Sequence, residues 1–569
     1  MGRLAKASCS SLSIVLGILL IVAAVVINYG VFPKLMKKLV KKEMVLDVKK
    51  NGAPNDFLYD FFNDKYTKRM QYYIFNYTNA IDIVDRGFSP DAIEVGPYSY
   101  IQNSAYDYDI KAFADSNKSY IEFIKKNVYI FDPKTSCEKC DPDNDYVWVP
   151  DPGFFGTFDK IGPFFNLIPP ELLTYLTLPI YGFKAGPFVR VKVSDLLFDG
   201  YTPPIKDMLI NLGGILPALE GFIPLIAGMI PDIRINQNNN TLNSSYAYRI
   251  DTGLDDASLL GNVHQMKPYL ESDWWSELPT AWWGNTAPPT CNYTAEAREL
   301  KGTLGDFFKT YINKDDTLSV FIDDICRAID FTYEGTSKYN DIDTLDFIIK
   351  SDTFDNSVET NCGYCTQTMR PLYGKGAGDY CLPNGFLDLT GCLGETIVTS
   401  NPHFYLADPI VLNWFPRMKP DAVKHQTRLS IEPHTGSVLA AYKRLQLNII
   451  AGFYPGCFPN IPTGIYPLAW VNNYYLADKG TTDDIKKSIF TPKKIVFWAC
   501  VGGAILGIIL MLIGSLALWK SCSTPVKRKL PPHATSSWES ETASPTHLTT
   551  SSEDSGVVLK RRTRRDSSN

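Results

Sequence analysis

An α+β membrane protein, with a large and mainly antiparallel β body held to a bilayer at both ends, is the fold class this sequence predicts. Three observations carry it: an apolar run near each terminus, strand-like patterning through the interval between them, and nine cysteines in that interval. The first run, Leu12 to Phe32, has 21 residues and the second, Ile495 to Trp519, has 25. At a rise of about 1.5 Å per residue, each crosses a hydrocarbon core of roughly 30 Å. Trp498 and Trp519 stand near the two ends of the second run, where an amphipathic indole prefers the interface. The first run is too long for the apolar region of a signal peptide, and no small-residue cleavage site follows it, so it reads as an uncleaved anchor.

These boundaries divide the chain into a cytoplasmic N-terminus (1–11), a span (12–32), an extracellular or luminal body (33–491), a second span (495–519) and a tail (520–569). Flanking charge alone does not orient it. Lys34, Lys37, Lys38, Lys41 and Lys42 follow the first span and outnumber Arg3 and Lys6 before it. Long loops, however, translocate largely regardless of such charge. The cysteine density argues for disulfides and an oxidising compartment. Sequons at Asn76, Asn117, Asn239, Asn243 and Asn292 agree with that side of the membrane. The Ser-, Thr- and Pro-rich tail has little to bury and reads as disordered and cytoplasmic. Cys9 and Cys522 flank the spans on that side and are palmitoylation candidates, an unmodified thiol being the other reading. The tail carries no tyrosine-based sorting signal, which favours the plasma membrane over an endosomal or lysosomal membrane.

Within the body, Tyr120 to Phe131 is rich in Ile, Phe, Val and Tyr, and Arg428 to Ile450 reads as a hairpin turning at Pro433 to Gly436. Its second arm alternates. Leu439, Ala441, Leu445, Leu447 and Ile449 share one face with Lys443 as the exception, while Tyr442, Arg444, Gln446 and Asn448 share the other. A half-buried strand is expected, with the Lys443 stem laid over apolar surface. Two stretches differ: Phe154 to Phe188 and Met208 to Ile230 are apolar, punctuated by Pro and Gly, and nearly free of charge. They read as buried or lipid-facing short helices. Pro217, Glu220 and Pro224 interrupt the second and argue against a third span. Gly503 and Gly507 form a G-x-x-x-G compatible with helix pairing and with a homo-oligomer. Trp274, Trp275, Trp282 and Trp283 read as packing residues, with a ligand surface as the rival.

With 569 residues, 45% of them hydrophobic, the chain can bury a large core. A net charge of −5 with mixed signs gives no footprint for nucleic acid. The sequence contains no G-x-S-x-G, H-E-x-x-H or phosphate-loop motif, and its two C-x-x-C pairs lie too far apart for a zinc ribbon. No enzyme, cofactor or metal is expected. The spans also lack the polar lining of a ligand-gated channel. Cys291, Cys326, Cys362, Cys365, Cys381 and Cys392 crowd together, and spacing alone leaves 15 pairings open.

Several separated motifs nevertheless occur in a telling order: Glu94-Val-Gly-Pro-Tyr-Ser-Tyr100, Val193 to Tyr201, Asp324-Ile-Cys-Arg327, Cys381 through Leu387-Asp388 to Cys392, Pro402-His-Phe404, and Ile431 to Gly436 followed by Lys443-Arg-Leu-Gln446. In these the chain resembles the class B scavenger receptor family, with the lysosomal integral membrane proteins and the insect sensory neuron membrane proteins, over nearly all of residues 10–520. The resemblance implies a β-barrel-like ectodomain, a helical apex bundle at about 151–231 and an apolar tunnel toward the bilayer. It also implies disulfides Cys291–Cys362, Cys326–Cys392 and Cys365–Cys381. The Cys362-Gly-Tyr-Cys365 spacing is one residue wider than in relatives, leaving an exchange of those partners open. Cys137 and Cys140 stand as a local bridge or two free thiols, and Cys457 is the odd cysteine. Capture of lipids or lipoproteins at the apex, with Lys184 and Lys160 as candidate contacts and solvated surface lysines as the alternative, would precede passage of fatty acids, sterols or their esters to the membrane. A receptor that docks or sorts apex-binding proteins without passing lipid is the second reading.

Overall fold

The computed structural model describes residues 2–523 apart from 50–51, 64–65, 110–112, 114–116, 158–185, 216–226, 229, 237–238, 241–246, 267–286, 369–370, 377, 391–396 and 453–459. Two compact units emerge, one of residues 1–19 with 506–569 and one of residues 20–505.

In the first unit the terminal helices touch through small residues. A Cβ added to Gly17 would stand 2.5 Å from the Gly507 carbonyl oxygen, and one on Gly514 would stand 2.8 Å from that of Ser10. Backbones approach this closely only where side chains are missing. Gly507 therefore pairs the two spans within one chain, whereas Gly503 has nothing within 4 Å. Apolar helices long enough to cross a membrane run over Ser10–Glu43 and Lys479–Ser521, consistent with a two-pass topology.

The second unit is built on strands β1 (Tyr66–Tyr77), β2 (Ala92–Asp109), β3 (Tyr120–Phe131), β4 (Tyr146–Pro150), β5 (Phe188–Lys192), β6 (Tyr248–Asp251), β7 (Val263–Met266), β8 (Leu318–Ile322), β9 (Arg327–Tyr339), β10 (Ile342–Ile349), β11 (Phe386–Asp388), β12 (Ile397–Ser400), β13 (Arg428–Ile431), β14 (Val438–Ala451) and β15 (Gly464–Ala477). Thirteen of them form one sheet, with the path β7-β6-β3-β2-β1-β15-β14-β13-β10-β9-β8 and with β12 joining β11 to β14. Every pairing is antiparallel. β4 and β5 pair separately.

The ends of that path are brought together by two residues. Gly302 accepts from the Val263 N–H of β7 at 2.8 Å, and Thr303 exchanges bonds of 3.0 and 2.8 Å with Ser319 and Phe321 of β8. The sheet thereby closes almost into a barrel, which removes two exposed edges. Pro467 lies inside β15 without breaking it because it sits at the register shift opposite Leu447 and Asn448, where a missing N–H costs little.

β14 departs from the expected half-buried pattern. Its supposed outer face is also covered, because the turn at Pro402–Phe404 packs on it while β12 pairs alongside, and Gln446 and Asn448 are fully buried. Their polar groups are satisfied: Gln446 accepts from the His403 N–H at 2.7 Å and donates to Asn448 at 2.8 Å, and Asn448 donates to Ser400 Oγ at 3.0 Å. Burial without such partners would cost about 1–3 kcal/mol per group. In the second apolar stretch, Leu209 within the helix Pro204–Ile215, Ala227 and Ile230 join the main core beside Tyr72, Phe75 and Tyr466.

At the membrane end, Met36 and Val40 from the N-terminal helix and Ile485 and Ile489 from the C-terminal one pack against Ile342, Leu439 and Ala477 at strand ends. The helices thus enter the body through a shared core.

Candidate functional site

Cross-strand partners share a face, so register identifies the inner wall of the closed sheet. One row runs Lys443, Asn473, Met70, Tyr100, Phe131 across five strands. Two residues along, Ala441, Tyr475 and Lys68 form the next, and β3 adds Tyr129, Asn127 and Lys125. Lys443 is therefore an inward-facing lysine rather than a stem spread over a surface.

Around it the wall is polar. The turn from β8 to β9 brings Asp323 and Asp324 within electrostatic reach of Lys443 and Tyr129, and Asp324 within reach of Lys125; Lys68 acts on Tyr129, and Asp306 on Lys443. Tyr248 donates to Asp323, and Tyr475 to the Gly305 carbonyl. Lys443 Nζ makes one long bond, 3.4 Å, to the Leu304 carbonyl. Asp324, like Asp323, is exposed. Asp323 beside it raises its carboxyl to about 6. Burial pushes the Lys443 ammonium down and the Tyr129 and Tyr248 phenols up.

Outside the sheet, Glu94 of β2 receives His403 Nε2 at 2.5 Å and Trp470 Nε1 at 2.6 Å. His403 stacks on His425 at 4.4 Å, and Trp470 stacks on Tyr73 at 4.0 Å. Burial pushes Glu94 up, but the bonds from His403 and Trp470 outweigh it and hold the carboxyl below its usual range. Burial and the neighbouring His403 depress His425 to about 4. A cavity of about 360 Å³, lined by Phe75, Glu94, His403, Arg417 and Lys419 among others, opens beside this group.

A pH effect follows. The folded state resists protonating His425, so stability is full above the unfolded value of about 6.5 and declines as pH falls toward the folded one. Between about pH 7.4 and pH 5 the loss is expected to be about 1 kcal/mol, after discounting for solvent screening close to the surface. Asp324 works in the opposite sense: its raised folded value adds stability as pH falls through about 6. The His425 contribution is therefore read as a difference. His425→Asn should lose less thermal stability on acidification than the unaltered protein, measured by melting both at the two pH values; equal losses would exclude it.

The membrane-proximal turn Ile431 to Gly436 encloses Glu432. Its carboxylate, fully buried, accepts from Thr435 N at 2.8 Å, Thr435 Oγ1 at 2.7 Å, His434 N at 3.2 Å and His434 Nδ1 at 2.6 Å. Lys493 of the C-terminal helix lies 2.7 Å from His434 Nε2. An ammonium can only donate there, so the imidazole carries its proton on Nδ1 toward Glu432.

Disulfides join Cys137 to Cys140, Cys291 to Cys362 and Cys365 to Cys381. Cys326 is also in a disulfide, while Cys392 and Cys457 lie outside the described residues, as do Lys160, Lys184, Asn243 and the four tryptophans 274, 275, 282 and 283. Replacing Cys365 and Cys381 together by serine should cost about 3 kcal/mol on the chain-entropy model, read as a lowered unfolding midpoint under non-reducing conditions. Asn117 and Asn292 are exposed, Asn117 in a left-handed turn. Asn76 and Asn239 are half-buried and accept from the Trp148 and Tyr129 N–H groups. Cys9 and Cys522 both lie on helix. Lys443 and Asp324 occur in the motifs already noted, but their meeting was hidden by 119 residues of separation and by the ordinary look of a lysine in a strand.

Among the described residues no group of three or more His, Cys, Asp or Glu is placed to hold a metal ion. A nearly closed antiparallel sheet, tied by disulfides, in a chain with two helices long and apolar enough to cross a bilayer defines a two-pass membrane protein. The chain belongs to the CD36 family, whose profile matches residues 15–518. It is 32% identical over 549 residues to an uncharacterized protein of Caenorhabditis elegans, covering 89% of this chain and 96% of the relative. Sensory neuron membrane protein 1 of Helicoverpa armigera is 26% identical over 518 residues, covering 85% of this chain and 87% of its own length. The Bombyx mori protein of the same name is 25% identical over 527 residues.

Proposed function

We propose that the chain is a scavenger-type receptor of the plasma membrane, its body outside the cell, which captures lipids or lipoprotein particles at its apex and passes hydrophobic ligands through the closed sheet to the bilayer. The observation that carries this reading is the nearly closed antiparallel sheet in a CD36-family chain that also has two helices long and apolar enough to cross a bilayer. Hydrocarbon leaves water with a gain of about 0.8 kcal/mol per buried methylene, so a sheltered path prevents its return. Fatty acids, sterols and their esters suit such a path. Lys184 and Lys160 are the proposed apex contacts. A Cys326–Cys392 bridge, glycans on the five sequons and acyl chains on Cys9 and Cys522 complete the assignment.

The test is lipid uptake by cells expressing the chain, compared with Asn473→Trp, which places a bulky ring on the inner wall beside Lys443. Uptake should fall several-fold at equal surface abundance. Unchanged uptake, or the absence of any lipid copurifying with residues 33–491, would instead favour a docking or sorting receptor that binds proteins at the apex.

A further inference from the structure

The helix Phe32–Glu43 carries the chain out of the first span as the last part of one helix over Ser10–Glu43. Residues four apart lie on one face of a helix, so this segment presents three rows. Met36 and Val40 are buried in the core shared with the C-terminal helix. Lys34, Lys38 and Lys42, all exposed, form the row opposite, and Leu35 and Leu39, 59% and 46% exposed, form the row beside the lysines. These three lysines have no hydrogen bond or ion pair among the described residues. The other two of the helix are engaged: Lys37 stands 5.2 Å over the Tyr311 ring, and Lys41 acts on Asp256. Glu43, the one acid of the helix, falls in line with Met36 and Val40, away from the lysine row.

Helix direction decides where the ammonium groups go. Each Cα–Cβ bond tilts toward the N-terminus of its helix, which here is the membrane end. Lys34, Lys38 and Lys42 stand about 3, 9 and 15 Å beyond Phe32. Their stems reach back toward a headgroup layer about 5–8 Å deep on each face of the bilayer. The C-terminal helix runs the other way, so its lysines tilt toward the body: Lys486 lies 3.7 Å from Asp341 and Lys493 2.7 Å from His434 Nε2.

We propose that Lys34, Lys38 and Lys42, with Leu35 and Leu39 beside them, form a docking strip for acidic phospholipids of the leaflet on the body's side. The strip lies outside the sheet, on a helix continuous with the span, and does not depend on passage of lipid through the body. A lysine binds phosphate as a compact point charge. A zwitterionic headgroup brings its own cation, which opposes that contact, whereas an acidic headgroup brings none. The leucines, tilted the same way, reach the boundary between headgroups and acyl chains, where an apolar side chain gains by burial.

The test uses the full-length protein in phosphatidylcholine nanodiscs that carry a trace of photo-reactive phosphatidylglycerol or photo-reactive phosphatidylcholine, each with its diazirine close to the glycerol. After irradiation, adducts are mapped by mass spectrometry. Phosphatidylglycerol should label residues 32–44 about fivefold more than phosphatidylcholine for each lysine engaged. The preference should shrink in about 0.5 M salt. Combining Lys34→Gln, Lys38→Gln and Lys42→Gln should bring the two lipids level, whereas Lys487→Gln with Lys494→Gln should leave the preference unchanged. All five side chains are exposed, so both variants should melt with the unaltered protein. Equal labelling of the unaltered protein by the two lipids, a preference that survives the triple substitution, or one removed by the C-terminal pair instead, overturns the strip. Each of those results leaves the proposed lipid passage standing, since uptake by cells is a separate measurement.

Discussion

Gly302→Val is expected to cost roughly 4 kcal/mol or more, enough to remove most of the folded protein. Gly302 has φ +83°, and a Cβ there would lie 2.2 Å from the Ser319 carbonyl oxygen. Adopting the left-handed conformation costs a residue with a side chain about 1–2 kcal/mol. The remainder arises because the obstacle is backbone of β8, which cannot swing aside without releasing the bonds that join the ends of the sheet. A control separates the two contributions: Gly374 has φ +85° and nothing within 4 Å of an added Cβ. Gly374→Val should therefore show the conformational cost alone. Thermal unfolding of the purified variants measures both, and similar midpoints would show that the closure is dispensable.

Glu432→Ala should destabilise by about 3–5 kcal/mol, because it leaves the Thr435 and His434 donors buried without an acceptor. Burial pushes this carboxyl up, yet the bonds from His434 and Thr435 prevail and hold it below the usual range, the sign of a site built for the ionised form. Glu432→Gln keeps the shape and one acceptor oxygen and should recover part of the loss. Denaturant midpoints of the three proteins give the order directly. Since Lys493 reaches the same imidazole, protease sensitivity near the start of the C-terminal span should rise in the alanine variant only.

Much of this framework was legible in the sequence, for reasons that can be named. The spans announce themselves by length and apolarity, β3 runs over Tyr120–Phe131 as its β-branched and aromatic residues imply, and β13 and β14 flank the expected turn. What escaped depends on distant partners. Gly302 and Thr303 join β7 to β8 as a pair of residues, and two residues have no period. Gln446 and Asn448 looked solvent-facing because nothing local signals that the turn at Pro402–Phe404 will pack over that end of β14. The His403, Glu94, Trp470 and His425 group, like the Asp324 and Lys443 pair, is assembled from segments tens to hundreds of residues apart. The motifs marked some of these positions without indicating which would meet.

The core shared by Met36, Val40, Ile485, Ile489, Ile342, Leu439 and Ala477 makes the two chain ends interdependent. Residues more than 440 apart in sequence fill one volume there, so a cavity cut on the N-terminal side, as by Met36→Ala, is felt by the C-terminal helix as directly as by its own.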